Sequence, residues 1–152
     1  MHLIMMFKEK DLFVSQKPFK ILGIEHIGVA MENANGLSSI LSDIFGLECS
    51  GKEEVEDQQV ITEIFNTGMG KIELLQATNS DSPISRYIEK KGIGLHHIAL
   101  IVDNIQKALD YFIENDIELI DITPRIGAEG FQIAFLHPKS TGGILIELCE
   151  KK

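Results

Sequence analysis

From residue 21 onward, apolar and polar positions follow a regular order along the chain, whereas residues 1–20 show no clear period. The order predicts a strand, a helix and then further strands, and the same order follows a second time. We therefore expect an N-terminal extension over residues 1–20 and a single folded domain over residues 21–152.

The patterned part of the chain is an internal repeat. Its opening strand, Ile24–Ala30, aligns with Leu95–Ile101, and this alignment places His26 opposite His97, 71 positions further along. Each opening strand is followed by apolar residues at helical spacing. The chain is therefore expected to contain two copies of a βαβββ unit.

The boundary between the two copies is marked by turn residues. Asn79–Pro83 contains the small polar residues and the proline typical of a turn, and a short helix is expected over about residues 84–91. This division predicts a first module over about residues 21–79, a linker helix over about 80–92 and a second module over about 93–152.

Each module ends in a hairpin whose last strand contains an Ile-Glu-Leu triplet. Phe65 and Glu73 are 8 positions apart in the first hairpin, and Phe135 and Glu147 are 12 positions apart in the second. The second turn is therefore longer by four residues, which is enough to build a loop that contacts a ligand.

Two such modules predict an α+β fold in which curved sheets pair as a half-open barrel around a cleft. Equivalent residues of a repeat meet about a pseudo-twofold axis, so His26 should face His97 and Glu73 should face Glu147. Two imidazoles and two carboxylates suit one borderline divalent ion such as Co, Mn, Zn or Ni and leave coordination positions open for substrate. The repeat thus predicts a metal site in the cleft.

Each candidate ligand has a plainer interpretation when it is taken alone. A single strand histidine is usually a core or edge residue, and both glutamates would face solvent if the opposite sheet face turned inward. A metal site is favoured because Glu73 and Glu147 each lie between two apolar strand residues, where an unpaired carboxylate is costly. Pleating is expected to turn His96 away from His97, and His137 is interpreted as structural.

Glu63 is a candidate general base. It shares a strand face with Ile61 and Phe65, and burial among apolar neighbours raises the pKa of a carboxyl group towards neutrality. The alternative is that Thr62 and Ile64 face inward while Glu63 is solvated.

Composition and charge exclude several classes of function. The net charge of −9 at pH 7 argues against binding to nucleic acid or to anionic membranes, which need a basic face. No apolar run of the sequence approaches transmembrane length. The two cysteines, Cys49 and Cys149, are too few for a disulfide framework, so we expect reduced thiols and a cytoplasmic protein.

Several short motifs carry a family resemblance that covers the chain from residue 21 to its end. They are Glu25–Gly28, Lys71–Leu75, Asp81–Ile84, Leu95–Ile98, Pro124–Ala128 and Phe135–Gly143. In these motifs the chain resembles the methylmalonyl-CoA epimerases of the vicinal oxygen chelate superfamily. The resemblance implies a divalent metal held by His26, Glu73, His97 and Glu147, the four residues that the repeat also selects.

The same resemblance implies an isomerase that interconverts the 2R and 2S epimers of methylmalonyl-CoA through a metal-stabilised enolate, and it implies a homodimer. Glu63 matches an acid/base glutamate of some members, although Gln58–Ile61 departs from a family pattern that contains glycine. We expect Glu63 and Glu147 to carry the proton on the two faces of C2. The candidates to bind the substrate carboxylate or the CoA phosphates are Arg125, Gly127, Lys139 and Ser140.

Other functions fit the same fold. A glyoxalase-type isomerase would use the same four ligands with a glutathione substrate, and a drug-binding protein would share the fold without metal ligands. An extradiol dioxygenase uses two histidines and one carboxylate around iron, so a fourth ligand argues against that activity.

Overall fold

The computed structural model describes residues 17–152. Most of the predicted extension, residues 1–16, lies outside the described residues. The short segment before the first strand joins the core, because Phe19 is buried and its ring packs edge-on against Phe112 with 5.4 Å between ring centres. The folded domain therefore includes Phe19.

Eight strands and three helices span the described residues. The strands are β1 Ile21–Met31, β2 Glu48–Val55, β3 Val60–Asn66, β4 Lys71–Ala77, β5 Gly94–Val102, β6 Arg125–Ile126, β7 Gln132–Leu136 and β8 Ile146–Glu150. The helices are α1 Asn35–Ser39, which continues as a π-helical turn over Ile40–Ile44, α2 Pro83–Lys91 and α3 Ile105–Glu114.

All eight strands form one curled sheet with the order β2-β3-β4-β1-β5-β8-β7-β6. In each module the opening strand pairs in parallel with the last strand, β1 with β4 and β5 with β8. The two opening strands pair with each other in antiparallel orientation at the centre of the sheet. The predicted α+β fold with two paired modules is confirmed.

Helices cover both faces of this sheet. Leu41, after α1, packs against Leu74 of β4, and Leu109 of α3 packs against Leu148 of β8, so these helices cover the outer, convex face. Ile84 of α2 instead packs on the concave face against β1, β3 and β4. The rest of the concave face remains as a cleft between the modules.

Helix α2 is the predicted linker helix, and local sequence explains its bounds. The Ser82 hydroxyl caps its start by accepting a hydrogen bond from the Ile84 amide at 3.2 Å, and Pro83 occupies the first helical position. Lys90 and Lys91 lie in the last turn, where positive charge is favourable. The prediction of a helix over about residues 84–91 is confirmed.

Candidate metal centre

Strand register brings the four predicted ligands to matching positions in the two modules. In the first module, Gly28, two positions after His26, pairs with Glu73 across β1 and β4. In the second module, Ala99, two positions after His97, pairs with Glu147 across β5 and β8. The repeat in the sequence is therefore also a repeat in register.

Three of these side chains converge at the centre of the cleft. The Nε2 atoms of His26 and His97 are 2.9 Å apart, and a Glu147 carboxylate oxygen lies 2.9 Å from His97 Nε2 and 3.6 Å from His26 Nε2. All three residues are buried, each with 5 or 6% of its surface exposed. This triad offers two imidazole nitrogens and one carboxylate oxygen to a common point.

Glu73 lies beside the triad on the other edge of the His26 ring. Its carboxylate oxygen is 3.5 Å from Nδ1 of His26, whereas Glu147 faces Nε2 of the same ring. Glu73 is buried and lines the same cleft. The structure thus brings three predicted ligands together and places the fourth next to them.

The charges within this cluster suit replacement of protons by a cation. Burial lowers the pKa of His26, but hydrogen bonds with Glu147 and Glu25 and the charge of Glu73 outweigh it and raise the pKa to about 10. Burial raises the pKa of Glu73 to about 7, although His26 opposes this shift. Burial also raises the pKa of Glu147, yet hydrogen bonds with His26 and His97 hold it far below its usual value.

The donor set therefore fits a divalent metal ion. Imidazole nitrogen and carboxylate oxygen are ligands that Co, Mn, Zn and Ni accept, and one positive histidine beside buried carboxylates occupies the place such an ion would take. Buried titratable groups with strongly shifted pKa values in a cleft are typical of functional sites.

The cleft around the cluster has a volume of about 330 Å³. Apolar side chains form most of its wall, among them Leu75, Ile84, Ile133 and Phe135. The wall also contains the Cys149 thiol, whose Sγ is 3.3 Å from the Glu147 carboxylate. An apolar wall with a few converging polar groups is the usual form of a small-molecule site.

Two more polar side chains join the cleft because both opening strands contain a β-bulge. The pairing of β1 with β5 skips Glu25 and His96, the residues that precede the two candidate histidines. A bulge residue escapes the alternation of the pleat, and both side chains line the cleft. The expectation that pleating turns His96 away was therefore wrong, since its Nδ1 is 2.9 Å from Nδ1 of His97.

The structure does not bring Glu63 to the cleft. Thr62 lines the cleft, whereas Glu63 pairs with Leu74 on the helix-covered face of the sheet. Burial raises the pKa of Glu63, but hydrogen bonds with Lys52, at 2.7 Å, and Ser38 lower it overall. This contradicts the expectation that Glu63 is a general base with a raised pKa. Thr62 faces the cleft, so Glu63, the next residue of the strand, faces the opposite side of the sheet.

The loop around β6 places Arg125 in the cleft. Its guanidinium lies 3.3 Å from Asp121 and 3.5 Å from Asp57 and stacks over Phe135, with 5.6 Å to the ring centre. Gly127 is buried but does not line the cleft, and an added Cβ there would lie 2.7 Å from the Ile133 side chain. Arg125 is thus the predicted substrate-binding residue that reaches the cleft wall.

Lys139 and Ser140 belong to a different surface. Their short turn, Pro138–Ser140, packs against Glu118, whose amide donates to the Ser140 hydroxyl at 2.8 Å and whose carboxylate is 3.5 Å from Lys139. Neither residue lines the cleft. His137 caps this turn by accepting the Lys139 amide, in agreement with its structural interpretation.

Comparison with protein families matches residues 25–135 to the model described as Glyoxalase/Bleomycin resistance protein/Dioxygenase superfamily. The uncharacterized protein YqjC of Bacillus subtilis is 40% identical over 129 residues, which are 85% of this chain and 92% of YqjC. The mitochondrial methylmalonyl-CoA epimerase of Dictyostelium discoideum is 36% identical over 129 residues, covering 84% of this chain and 78% of the relative.

A solved structure of a methylmalonyl-CoA epimerase in complex with methylmalonyl-CoA and NH4+ has the same architecture. It superposes with a TM-score of 0.82 at 28% sequence identity and covers 87% of this chain and 96% of that chain. Among residues 17–152, no helix combines the length and apolar character needed to cross a lipid bilayer.

Proposed function

The chain belongs to the glyoxalase/bleomycin resistance protein/dioxygenase superfamily, and from that premise we propose that it is a metal-dependent methylmalonyl-CoA epimerase. The observation that carries the proposal is the buried triad of His26, His97 and Glu147 at the centre of an apolar cleft. Glu73 beside His26 would complete the ligand set. The proposed substrate is that of the methylmalonyl-CoA epimerases to which the chain is similar.

The proposed substrate has an acidic proton at C2, between a thioester carbonyl and a carboxylate. When bound, a divalent ion would neutralise the negative charge that develops on those oxygens as C2 loses its proton. The residues of the chain then hold the acyl group, exclude water and move the proton.

Glu147 is the group proposed to move the proton on one face of C2. Its carboxylate lies at the centre of the cleft and contacts both histidines. Cys149 lies beside it, within the apolar wall that keeps water from the reacting carbon. Epimerisation returns the proton to the opposite face, and a second group must act there in place of Glu63, which lies behind the sheet.

Arg125 is proposed to attract the substrate carboxylate or a CoA phosphate at the cleft mouth. Its side chain is 35% exposed and is held by Asp57 of the first module and Asp121 of the second. Arginine presents several fixed donors to an anion, which suits this role.

Proton NMR in deuterium oxide tests the proposal. Wild-type protein loaded with Co, Mn, Zn or Ni should exchange C2–H of methylmalonyl-CoA for deuterium faster than metal alone, and a chelator should stop the exchange. Glu147→Gln should slow exchange by about 10²–10⁴-fold. The matched control Glu63→Gln should retain it, because Glu63 faces Lys52 outside the cleft.

Two results would contradict the proposal. Wild-type protein that exchanges no C2–H with any of these ions would remove the epimerase assignment. Turnover of a glutathione hemithioacetal in place of methylmalonyl-CoA would favour the glyoxalase-type alternative.

We also infer a homodimer in a reducing, cytoplasmic compartment. Ile27 and Ile98 pair at the centre of the outer sheet face, where Ile98 is 36% exposed, and Ile24 and Leu95 on the same strands are 54% and 71% exposed. An apolar surface of this kind is typical of a subunit interface. The free thiols of the two cysteines suit reducing conditions.

A further inference from the structure

We propose that Glu25 is the positioning residue for His26, and that Lys71 and Glu129 hold Glu25 in place. This inference rests on the proposed function, because it concerns how one ligand of the metal centre is oriented. It is carried by the β-bulge in β1 and by a chain of short polar contacts that crosses from one module to the other.

The bulge is what makes the contact possible. Ile24 pairs with Leu100 and His26 pairs with Ala99, so Glu25 has no partner on β5. In a regular strand, neighbouring side chains point to opposite faces. Because the bulge breaks that alternation, the Glu25 carboxylate reaches Nδ1 of His26 at 2.5 Å.

This hydrogen bond determines which imidazole nitrogen is available. With Nδ1–H donating to Glu25, the proton that a metal ion would displace is the one on Nε2, and the Nε2 lone pair then serves as the ligand. Nε2 is the atom that faces His97 and Glu147. A carboxylate on the outer nitrogen of a metal-binding histidine fixes the ring orientation and strengthens the ligand.

Lys71 in turn holds the Glu25 carboxylate. Its ammonium lies 2.6 Å from Glu25 and 2.6 Å from Glu129, which belongs to the short turn after β6. The backbone amide of Glu129 also donates to Glu53 of β2 at 2.8 Å. The loop of the second module is thereby tied to the support of a ligand in the first module.

The two halves of the site differ in this support. The residue equivalent to Glu25 in the second module is His96, whose ring Nδ1 lies 2.9 Å from Nδ1 of His97. A carboxylate supports His26, whereas an imidazole supports His97. Loss of Glu25 should therefore weaken one ligand and leave the other in place.

Cobalt binding measured by titration calorimetry tests Glu25. We expect Glu25→Ala to weaken binding by about 10–100-fold, the usual effect of removing such a partner, while thermal unfolding stays cooperative. Glu25→Gln should recover part of the affinity, because the amide oxygen still accepts the Nδ1 proton. Glu32→Ala, which removes an exposed carboxylate from the residue that follows β1, is the matched control and should bind like wild type.

A spectroscopic measurement separates positioning from a general structural role. In the zinc-loaded protein, the Nδ1–H proton of His26 should resonate at low field because it is bonded to a carboxylate, and this resonance should move upfield in Glu25→Ala. For Lys71→Met, the two explanations predict opposite changes in cobalt affinity. Removing a positive charge near a cation would tighten binding by simple electrostatics, whereas loss of the Glu25 support should weaken it.

The outcomes distinguish the two levels of the proposal. Wild-type protein that binds no cobalt would overturn the metal centre and this inference together. Cobalt-binding wild type with unchanged affinity and an unchanged Nδ1–H resonance in Glu25→Ala would overturn the role of Glu25 alone. Tighter cobalt binding by Lys71→Met would overturn the role of Lys71.

Discussion

Replacing Gly28 with alanine should damage the metal centre from the backbone side. Gly28 pairs with His97 across β1 and β5, and the His97 ring lies directly over it. A Cβ at Gly28 would be 2.3 Å from Cε1, 2.5 Å from Nδ1 and 3.0 Å from Nε2 of that ring. The ring therefore has to move, since these contacts are too short for any real side chain.

The size of the effect follows from these distances. Carbon atoms in contact lie about 3.5–4.0 Å apart, so the ring must shift by roughly 1 Å. A misplacement of about 1 Å in a catalytic group costs on the order of 10²-fold in rate. Overpacking a buried site also costs about 1–3 kcal/mol of stability. Cobalt binding has to bring the displaced ring back against this steric cost, and about 1.4 kcal/mol corresponds to a factor of ten in affinity. We therefore expect Gly28→Ala to lose at least about tenfold in cobalt affinity.

Calorimetry with cobalt, C2–H exchange and urea unfolding measure these three effects. The matched control is Gly36→Ala in α1, where an added Cβ meets nothing within 4 Å. That variant should keep wild-type affinity and gain up to about 1 kcal/mol of stability. If Gly28→Ala also kept wild-type cobalt affinity, the placement of His97 at the metal would be refuted.

Two further predictions concern protons and subunits. With a pKa of about 10, His26 is protonated at pH 7.5 in the metal-free protein, so cobalt binding at this pH should release about one proton, and the apparent cobalt affinity should rise with pH up to about 10. Calorimetry in buffers of different ionisation enthalpy measures the number of protons released. Cobalt binding without proton release would contradict the prediction. Below about pH 7, protonation of Glu73 should make the dependence steeper. Ile98→Asp on the outer sheet face should convert the proposed homodimer to a monomer in sedimentation velocity. If the variant sediments as a dimer like the wild type, this face is excluded as the interface.

The repeat made the fold and the centre of the site predictable. Once His26 and His97 align, the pseudo-twofold relation requires that the opening strands meet, and the structure pairs them at the middle of the sheet. Glu73 and Glu147 then occupy equivalent places, because each pairs with the residue two positions after the histidine of its module. This logic needs only the pattern of the sequence.

The positions of Glu63 and His96 could not be obtained in the same way. Ile61, Ile64 and Phe65 make both faces of β3 apolar, so alternation alone left the direction of Glu63 open. In the structure Thr62 lines the cleft, and Glu63 on the opposite face pairs with Lys52 of the neighbouring strand. For His96, a bulge opposite Gly28 adds one residue to the strand, and strand alternation alone does not reveal it.

The residues that contact His26 and His97 from behind differ between the two modules, although the ligands themselves are equivalent. Two identical halves would offer a substrate two equivalent orientations, yet an acyl-CoA has different groups at its two ends. In the first module, Glu25 and Lys71 place opposite charges behind His26. In the second, the Phe135 ring lies edge-on to His97, with 5.6 Å between ring centres. A pair of opposite charges therefore lies behind one histidine, whereas the rings of His96 and Phe135 lie against the other, and this difference can select one orientation of an unsymmetrical substrate.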